Sequence, residues 1–317
     1  IDELLPQYLR FVHGIIDSED LPLNVSRETL QFNPMIDRIN KRVVNQIIKD
    51  LTKIAEKDNA KYKIFWQHFG SVLKEGIYTD SDQREKILKI SKFASLNNEE
   101  LITLDEYIVN MPKKQKYIYY LSGQNIDDLK HSPHLEALKS QKMDVLLITD
   151  PVDEVWMPIV NQFEEKPFKS VTHGDLELKE NKETPDKKSQ KELDSLLQWL
   201  KEKLNDEVKD VRISSRLSDS PACIISDEGD IDINLANMLR ERGQLNQEFK
   251  RVLEINPEHE LIIKMQKKLL TKTSKQKKEL DSIAYLLLDQ AKILEGEKIS
   301  DTSNFSKRIV RLMNDSI

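Results

Sequence analysis

The chain has 317 residues, enough for two domains of ordinary size, and its 38% hydrophobic and 33% charged residues are typical of a helix-rich globular protein. A net charge of −6 argues against a nucleic-acid-binding protein, which would carry a basic excess on one face. The single cysteine, Cys223, excludes an internal disulfide, and no apolar run is long enough to span a bilayer.

The first half of the chain alternates predicted strands and helices. The aromatic and β-branched run Tyr8–Ile16 predicts a strand, and Asn33–Pro34 predicts the start of an amphipathic helix. This order favours an α/β layer without a P-loop or GxGxxG motif, so no nucleotide site is expected within it. The later predicted elements are helices around Lys61–Leu73, Asp82–Ser91, Asn125–Gln141 (broken at Pro133) and Glu154–Phe163, and strands at Tyr117–Leu121, Asp144–Thr149 and Phe168–Val171.

The second half follows a polar segment, Leu176–Glu192, which is the best linker candidate. We therefore predict an α+β protein with two domains, at residues 1–180 and 190–317. The elements predicted beyond the linker are a helix from Leu193, strands at Val211–Ser214, Ala222–Ile225 and Arg251–Ile255, and terminal helices at Glu279–Glu295 and Asn304–Met313.

The loop Asp20–Gln31 presents one cation, Arg27, after a stiff apolar run and just ahead of a helix. Arginine is suited to phosphate because its planar guanidinium donates hydrogen bonds in a fork. Gln31, four residues later, would lie on the same side. A surface arginine at a helix start has the same spacing, so both alternatives stay open.

Two apolar stripes are candidate interaction surfaces. One comprises Ile231, Leu235, Met238 and Leu239, at helical spacing. The other lies on the last two helices and comprises Leu286, Leu287, Leu294, Phe305, Ile309 and Leu312. Each could face its own core; the terminal pair could instead form a four-helix contact between two copies.

The histidines do not predict a metal site. His131 and His134 have i, i+3 spacing, but Pro133 separates them and no third ligand is near in sequence. We interpret them as a surface pair.

Long segments of the chain carry family-specific sequence. They are LLPQYLRFVHGIIDSEDLPLNVSRETLQ (Leu4–Gln31), FWQHFGSVLKEGIYTD (Phe65–Asp80), VKDVRISSRLSDSPACIIS (Val208–Ser226), LEINPEHELI (Leu253–Ile262) and LLLDQAKILEGEKISD (Leu286–Asp301). Together with shorter matches, they resemble the heat-shock protein 90 chaperones of the bacterial HtpG type, over essentially the whole chain.

The resemblance implies an organisation and a function. The first domain would be the later part of an αβα middle domain, and the second a smaller α+β domain ending in dimerisation helices. The ATP-binding domain of the family would lie outside this chain. The parent protein would be a homodimeric clamp that binds unfolded or partly folded clients and uses ATP and Mg²⁺, with co-chaperones as a further class of partner. This chain alone would hold no cofactor and would not be an enzyme.

The resemblance also implies roles for individual residues. Arg27 would reach the γ-phosphate of ATP in the neighbouring domain, and Gln31 would assist it. The stripe from Ile231 would contact clients, and the terminal stripe would form the dimer. Trp156 stands one place later than an exposed client-contacting aromatic of relatives, so contact and burial both stay open.

Two further expectations concern location and an alternative function. The ending LMNDSI has neither an EEVD-type tail nor a KDEL-type signal, which favours a cytoplasmic bacterial form and leaves an organellar form open. The alternative function is a standalone protein-binding scaffold without an ATP cycle.

Overall fold

The computed structural model describes residues 5–15, 34–176, 178, 187–247, 249–270 and 274–315, and its mixture of helix and sheet confirms the α+β class. The chain divides into two compact units. Unit 1 comprises Ile1–Ile118 and Leu146–Phe168, and unit 2 comprises Tyr119–Val145 and Lys169–Ile317. The predicted boundary between 180 and 190 falls largely outside the described residues, so it stays a prediction.

Helices and strands alternate along much of the chain. The described helices are α1 (Pro34–Lys57), α2 (Asn59–Thr79), α3 (Arg84–Ile90), α4 (Leu104–Asn110), α5 (Ile126–Lys130), α6 (Glu136–Ser140), α7 (Pro151–Trp156), α8 (Lys187–Lys203), α9 (Ile233–Glu241), α10 (Glu260–Leu269), α11 (Ser274–Leu294) and α12 (Thr302–Asp315). The described strands are β1 (Ala94–Ser95), β2 (Ile118–Ser122), β3 (Leu146–Ile148), β4 (Gln162–Phe163), β5 (Lys166–Ser170), β6 (Val208–Ile213), β7 (Ala222–Ile225) and β8 (Arg251–Ile255).

Unit 1 is built around α2, which packs against α1, α3 and α7. Asp58 caps α2 by accepting a hydrogen bond from the backbone N–H of Lys61 at 3.0 Å. Strand β1 pairs antiparallel with β3, and β4 pairs antiparallel with β5. Fully buried apolar side chains on α1, α2 and α3 include Ile48, Tyr62, Leu73, Ile77 and Ile87.

The predicted strand at Tyr8–Ile16 is wrong for the described residues. Residues Gln7–Leu9 form a 3₁₀ turn, and residues 12–15 have no regular structure. The Tyr8 hydroxyl donates to Asp80 at 2.6 Å, so this segment docks on α2 instead of pairing with a strand. Gly76 permits the close approach, since a Cβ there would lie 2.8 Å from the Tyr8 ring.

The predicted helix at Glu154–Phe163 is correct only in part. Helix α7 begins earlier, because Asp150 caps it by accepting from the N–H of Val152 at 3.2 Å. It ends at Trp156, two residues before Pro158, which has no N–H to continue the helical ladder. Residues Gln162–Phe163 then form β4.

Unit 2 contains a three-stranded sheet in the order β6-β8-β7. Strands β7 and β8 have the predicted bounds, whereas β6 begins three residues before the predicted Val211 and ends at Ile213. Central strand β8 is parallel to β6 and antiparallel to β7. Helices α8, α10 and α11 contribute to one core with this sheet, whose members include Leu200, Ile224, Leu253, Ile262 and Leu288. No helix in the described ranges has both the length and the apolar character needed to cross a membrane.

Candidate functional site

Helix α9 carries most of the first predicted stripe. Its two fully buried side chains are Ile233 and Ala236, which anchor it to unit 2. The four predicted contact residues, Ile231, Leu235, Met238 and Leu239, are half-buried, and Ile231 precedes the helix. They therefore combine packing against the unit with partly accessible apolar surface.

A polar cluster fixes the start of α9. Asp232 caps the helix through Oδ1, which accepts from the N–H of Asn234 at 2.8 Å. Its Oδ2 accepts from the hydroxyls of Thr172 at 2.7 Å and Ser170 at 3.1 Å, and lies 3.3 Å from Nδ1 of His173. Burial opposes ionisation of Asp232, but hydrogen bonds from His173 and Thr172 outweigh it and lower the pKa of Asp232 to about 2.

His173 faces acceptors on both sides of its ring. Nδ1 faces the Asp232 carboxylate, and Nε2 lies 2.8 Å from the Asp230 carbonyl oxygen. Burial acts against protonation, but these two hydrogen bonds outweigh it and raise the pKa of His173. The imidazolium, with both N–H groups donating, is thus the form that this pocket favours.

Trp156 is buried, which is one of the two alternatives that the sequence left open. Its side chain is fully buried, and its Nε1–H donates to Asp153 at 2.6 Å. Its ring packs against Phe93 and Phe168. We therefore correct its assignment as a client-contact residue, because an indole enclosed in its own core offers no surface. The exposed apolar neighbour is Val155.

The terminal helices α11 and α12 retain an exposed apolar surface. Leu294 and Leu312 are each 53% exposed, while Leu286, Phe305 and Ile309 are half-buried. Val310 and Ile293 add further exposed apolar surface. Leu287 is the exception: it is 2% exposed and belongs to the core of unit 2, so we correct its assignment to an interface.

Arg27 and Gln31 lie outside the described residues, so their roles stay predictions.

The side chains of His131 and His134 do not face a common site. Nδ1 of exposed His131 lies 2.7 Å from the Asp127 carbonyl oxygen, whereas His134 is fully buried and its Nε2 lies 3.0 Å from Glu295. The interpretation as a surface pair was thus wrong for His134. No cluster of three or more potential metal-binding side chains occurs within the described ranges.

Some structural residues were missed by sequence reasoning. Arg216 is fully buried and donates through Nε to Glu254 at 2.8 Å, and through its terminal nitrogens to the carbonyl oxygens of Val171 and Gly174. An arginine in a polar turn predicts exposure, so no local pattern signals this burial.

Comparisons with known proteins cover nearly the whole chain. The family model described as Hsp90 protein matches residues 1–317. The chain is 41% identical to the chaperone protein HtpG of Roseobacter denitrificans over 321 residues, covering 99% of this chain and 52% of that protein. It is 42% identical to the chaperone protein HtpG of Paramagnetospirillum magneticum over 323 residues, covering 100% of this chain and 52% of that protein. It is 41% identical to the chaperone protein HtpG of Wolbachia pipientis wMel over 320 residues, covering 98% of this chain and 50% of that protein. The chain thus spans about half the length of these curated relatives, and a match along all its residues shows that it belongs to the Hsp90 protein family.

Proposed function

We propose that this chain is part of an ATP-dependent molecular chaperone that binds unfolded or partly folded client proteins as a homodimeric clamp. The observation that carries the proposal is the similarity of nearly the whole chain to proteins described as chaperone protein HtpG. Similarity of this extent supports a shared activity more strongly than a likeness of fold alone, which many functions can share.

The proposed client surface is the half-buried stripe of Ile231, Leu235, Met238 and Leu239. Its support is physical: accessible apolar side chains on a short helix can bury apolar surface of an unfolded chain. Met238 has an unbranched side chain that repacks easily, which suits contact with different clients.

The proposed dimer surface comprises Leu286, Leu294, Phe305, Ile309 and Leu312. Its support is the exposed apolar surface of α11 and α12, which a symmetric contact with a second copy would cover. A four-helix arrangement is a common closed solution for two such helix pairs.

The proposed catalytic contribution is that of Arg27 and Gln31, acting on ATP and Mg²⁺ bound in another part of the parent protein. We carry these roles over from the family motif to the matching positions. We expect no ATP hydrolysis by the 317-residue chain alone. Hydrolysis that persists after further purification and is lost with Arg27→Ala would contradict this expectation.

The direct test is suppression of aggregation. A chemically denatured model enzyme is diluted into buffer with the purified chain, and turbidity is followed over time. We expect concentration-dependent suppression, whereas an equal mass of serum albumin should have little effect. Turbidity no lower than with albumin, at a several-fold molar excess of the folded chain, would refute client binding by this chain.

A further inference from the structure

Lysine is concentrated where α10 ends and α11 begins. Residues 264–278 have the sequence KMQKKLLTKTSKQKK, which contains seven lysines and no acidic residue, although the whole chain has a net charge of −6. Helix α10 ends at Leu269 and α11 begins at Ser274, so the end of one helix and the start of the next lie at the same end of this helix pair. Positive charge is therefore concentrated at one place in unit 2.

The lysines of α10 face solvent on one side of the helix. Lys264, Lys267 and Lys268 are three and four residues apart, which places them on a common face, and all three are exposed. The other side of α10 carries Ile262 and Met265, which are buried in the core of unit 2. The basic face is thus held in a fixed orientation by the packing behind it.

The anionic partners of this face within the protein are exposed themselves. Lys264 lies 2.6 Å from the carboxylate of Glu260, and both side chains are more than half exposed. Lys268 lies 3.7 Å from the carboxylate of Glu279, also at partly exposed side chains. Solvent-accessible ion pairs contribute little to stability, so these lysines can exchange them for contacts with an external anion.

The start of α11 carries cations where helices favour acidic residues. Lys275, Lys277 and Lys278 lie within its first five residues, and its first turn contains no acidic residue. Cations are unfavourable there, because the N-terminus of a helix has a partial positive charge. The stability of α11 therefore does not explain this placement, whereas an external anion would relieve the repulsion.

The composition favours an extended anionic surface that also accepts an apolar side chain. All seven cations are lysine, whereas a single phosphate or carboxylate is best held by the planar fork of arginine. Residues 264–278 contain no aromatic side chain on which a nucleic-acid base could stack. Leu270, two residues after Lys268, is 55% exposed. An acidic polypeptide would account for the lysines but not for this leucine, whereas lysines beside exposed apolar side chains are typical of helices that bind anionic membranes.

We propose that the end of α10, with Lys264, Lys267, Lys268 and Leu270, binds together with the start of α11 to the surface of an anionic phospholipid bilayer. The lysines contact headgroup phosphates, and Leu270 reaches the boundary with the acyl chains. The contact is peripheral, because the apolar sides of both helices remain in the core of unit 2. The proposal does not depend on client binding or on dimerisation, since it rests on the charge and exposure of this surface alone.

The test is co-sedimentation of the full 317-residue chain with lipid vesicles. Vesicles of phosphatidylcholine are compared with vesicles of phosphatidylcholine and phosphatidylglycerol in equal amounts. We expect at least about ten-fold stronger binding to the anionic vesicles at low salt, and loss of most of this binding at about 0.5 M NaCl. Equal binding to both kinds of vesicle overturns the proposal. Binding of poly-L-glutamate without a preference for anionic vesicles also overturns it and assigns the surface to acidic polypeptides.

Variants then locate the surface. Lys267→Gln combined with Lys268→Gln should weaken binding to anionic vesicles about ten-fold or more, while glutamine keeps nearly the helix propensity of lysine. Lys113→Gln combined with Lys114→Gln makes the same change of charge at two exposed lysines of unit 1 and should leave binding unchanged. Leu270→Ser should weaken binding several-fold. Equal effects of the two double variants, or full binding by Leu270→Ser, would overturn the proposal.

Discussion

The ammonium group of Lys74 is buried in unit 1 among charged and aromatic side chains. It donates to Asp153 at 2.7 Å and lies 4.7 Å from the ring centroid of Phe93. Asp153 in turn accepts from the indole N–H of Trp156. Both charged residues are at most 5% exposed, so Asp153 depends on Lys74 for charge compensation, while Lys74 has a second carboxylate, that of Asp150, at 3.7 Å.

We expect Lys74→Met to lower the free energy of unfolding by about 3–5 kcal/mol, since it leaves a buried carboxylate unpaired. Urea unfolding followed by tryptophan fluorescence measures the change, because Trp66 and Trp156 both lie in unit 1. Lys53→Met is the matched control: its ion pair with Asp50 is about half exposed, so its loss should cost about 1 kcal/mol or less. Equal effects of the two changes would show that burial of the Lys74 pair has no energetic consequence.

The second prediction at this scale concerns pH and the ion pair of His173 with Asp232. The pKa of His173 is raised from 6.5, so its contribution to stability is complete below about 6.5 and fades as pH rises through the raised value. The pKa of Asp232 is lowered from 3.8 to about 2, so its contribution is present above 3.8 and is lost as pH falls toward 2.

We therefore expect His173→Gln to destabilise unit 2 by roughly 1.5–3 kcal/mol near pH 5.5, and by progressively less as pH rises toward about 9. The measurement is the difference in free energy of unfolding between wild type and variant across this range. His131→Gln, at an exposed histidine, is the control and should give a small difference at every pH. A His173→Gln difference that does not vary with pH would contradict the ion-pair explanation.

At the scale of elements, α9 is too short to be stable by itself. Helices of fewer than about 12–15 residues are marginal in water, and α9 has 9. Its stability must come from the Asp232 cap and from packing of Ile233 and Ala236. Substitution of the half-buried side chains of α9 should therefore lower the stability of the helix less than substitution of its buried side chains.

We expect Met238→Ser and Leu239→Ser together to weaken suppression of client aggregation several-fold while thermal stability changes little, because each removes partly accessible apolar surface. Ile263→Ser, at a half-buried apolar position on α10, is the matched control. Turbidity assays and thermal melts on the same preparations separate the two effects. If the control lowers suppression as much as the double variant, α9 has no special role in client contact.

At the scale of the whole molecule, the central prediction is assembly into a dimer through α11 and α12. Arg308 on α12 contacts two side chains of α11. Its Nη1 lies 3.4 Å from Oδ2 of Asp289, and its Cζ lies 4.3 Å from the ring centroid of Tyr285. Leu312 stays largely exposed on α12. Burying it against a second copy would stabilise association by the hydrophobic effect.

We expect Leu312→Ser to weaken dimerisation by roughly 100-fold or more. A twofold interface contains each substitution twice, and each buried leucine contributes about 1.5 kcal/mol or more. Light scattering across a dilution series measures the mass in solution. Leu270→Ser removes a leucine of nearly equal exposure, 55%, outside these helices and should leave the dimer intact. A wild-type chain that is monomeric at every concentration would refute the interface.

Particular residues show how far sequence reasoning reaches. Pro34 and the apolar spacing after it give the start of α1, and the predicted strand Ala222–Ile225 is observed with the same bounds. The stripe from Ile231 was located, but the sequence did not show that its four side chains are only half-buried while Ile233 and Ala236 hold the helix in the core. The burial of Arg216 was missed, because its partner Glu254 lies on a separate strand that is distant in sequence.

The sequence alone determined the family, the α+β class and the position of most helices and strands. These depend on local periodicity, caps and breakers, and on long matching segments. Only the tertiary structure decided that Tyr8 docks on a helix, that Trp156 and Leu287 are buried, and that Nδ1 of His173 lies 3.3 Å from the Asp232 carboxylate. The physical reason is that burial and charge pairing depend on partners distant in sequence, whereas a periodic pattern reports only which side chains share a face.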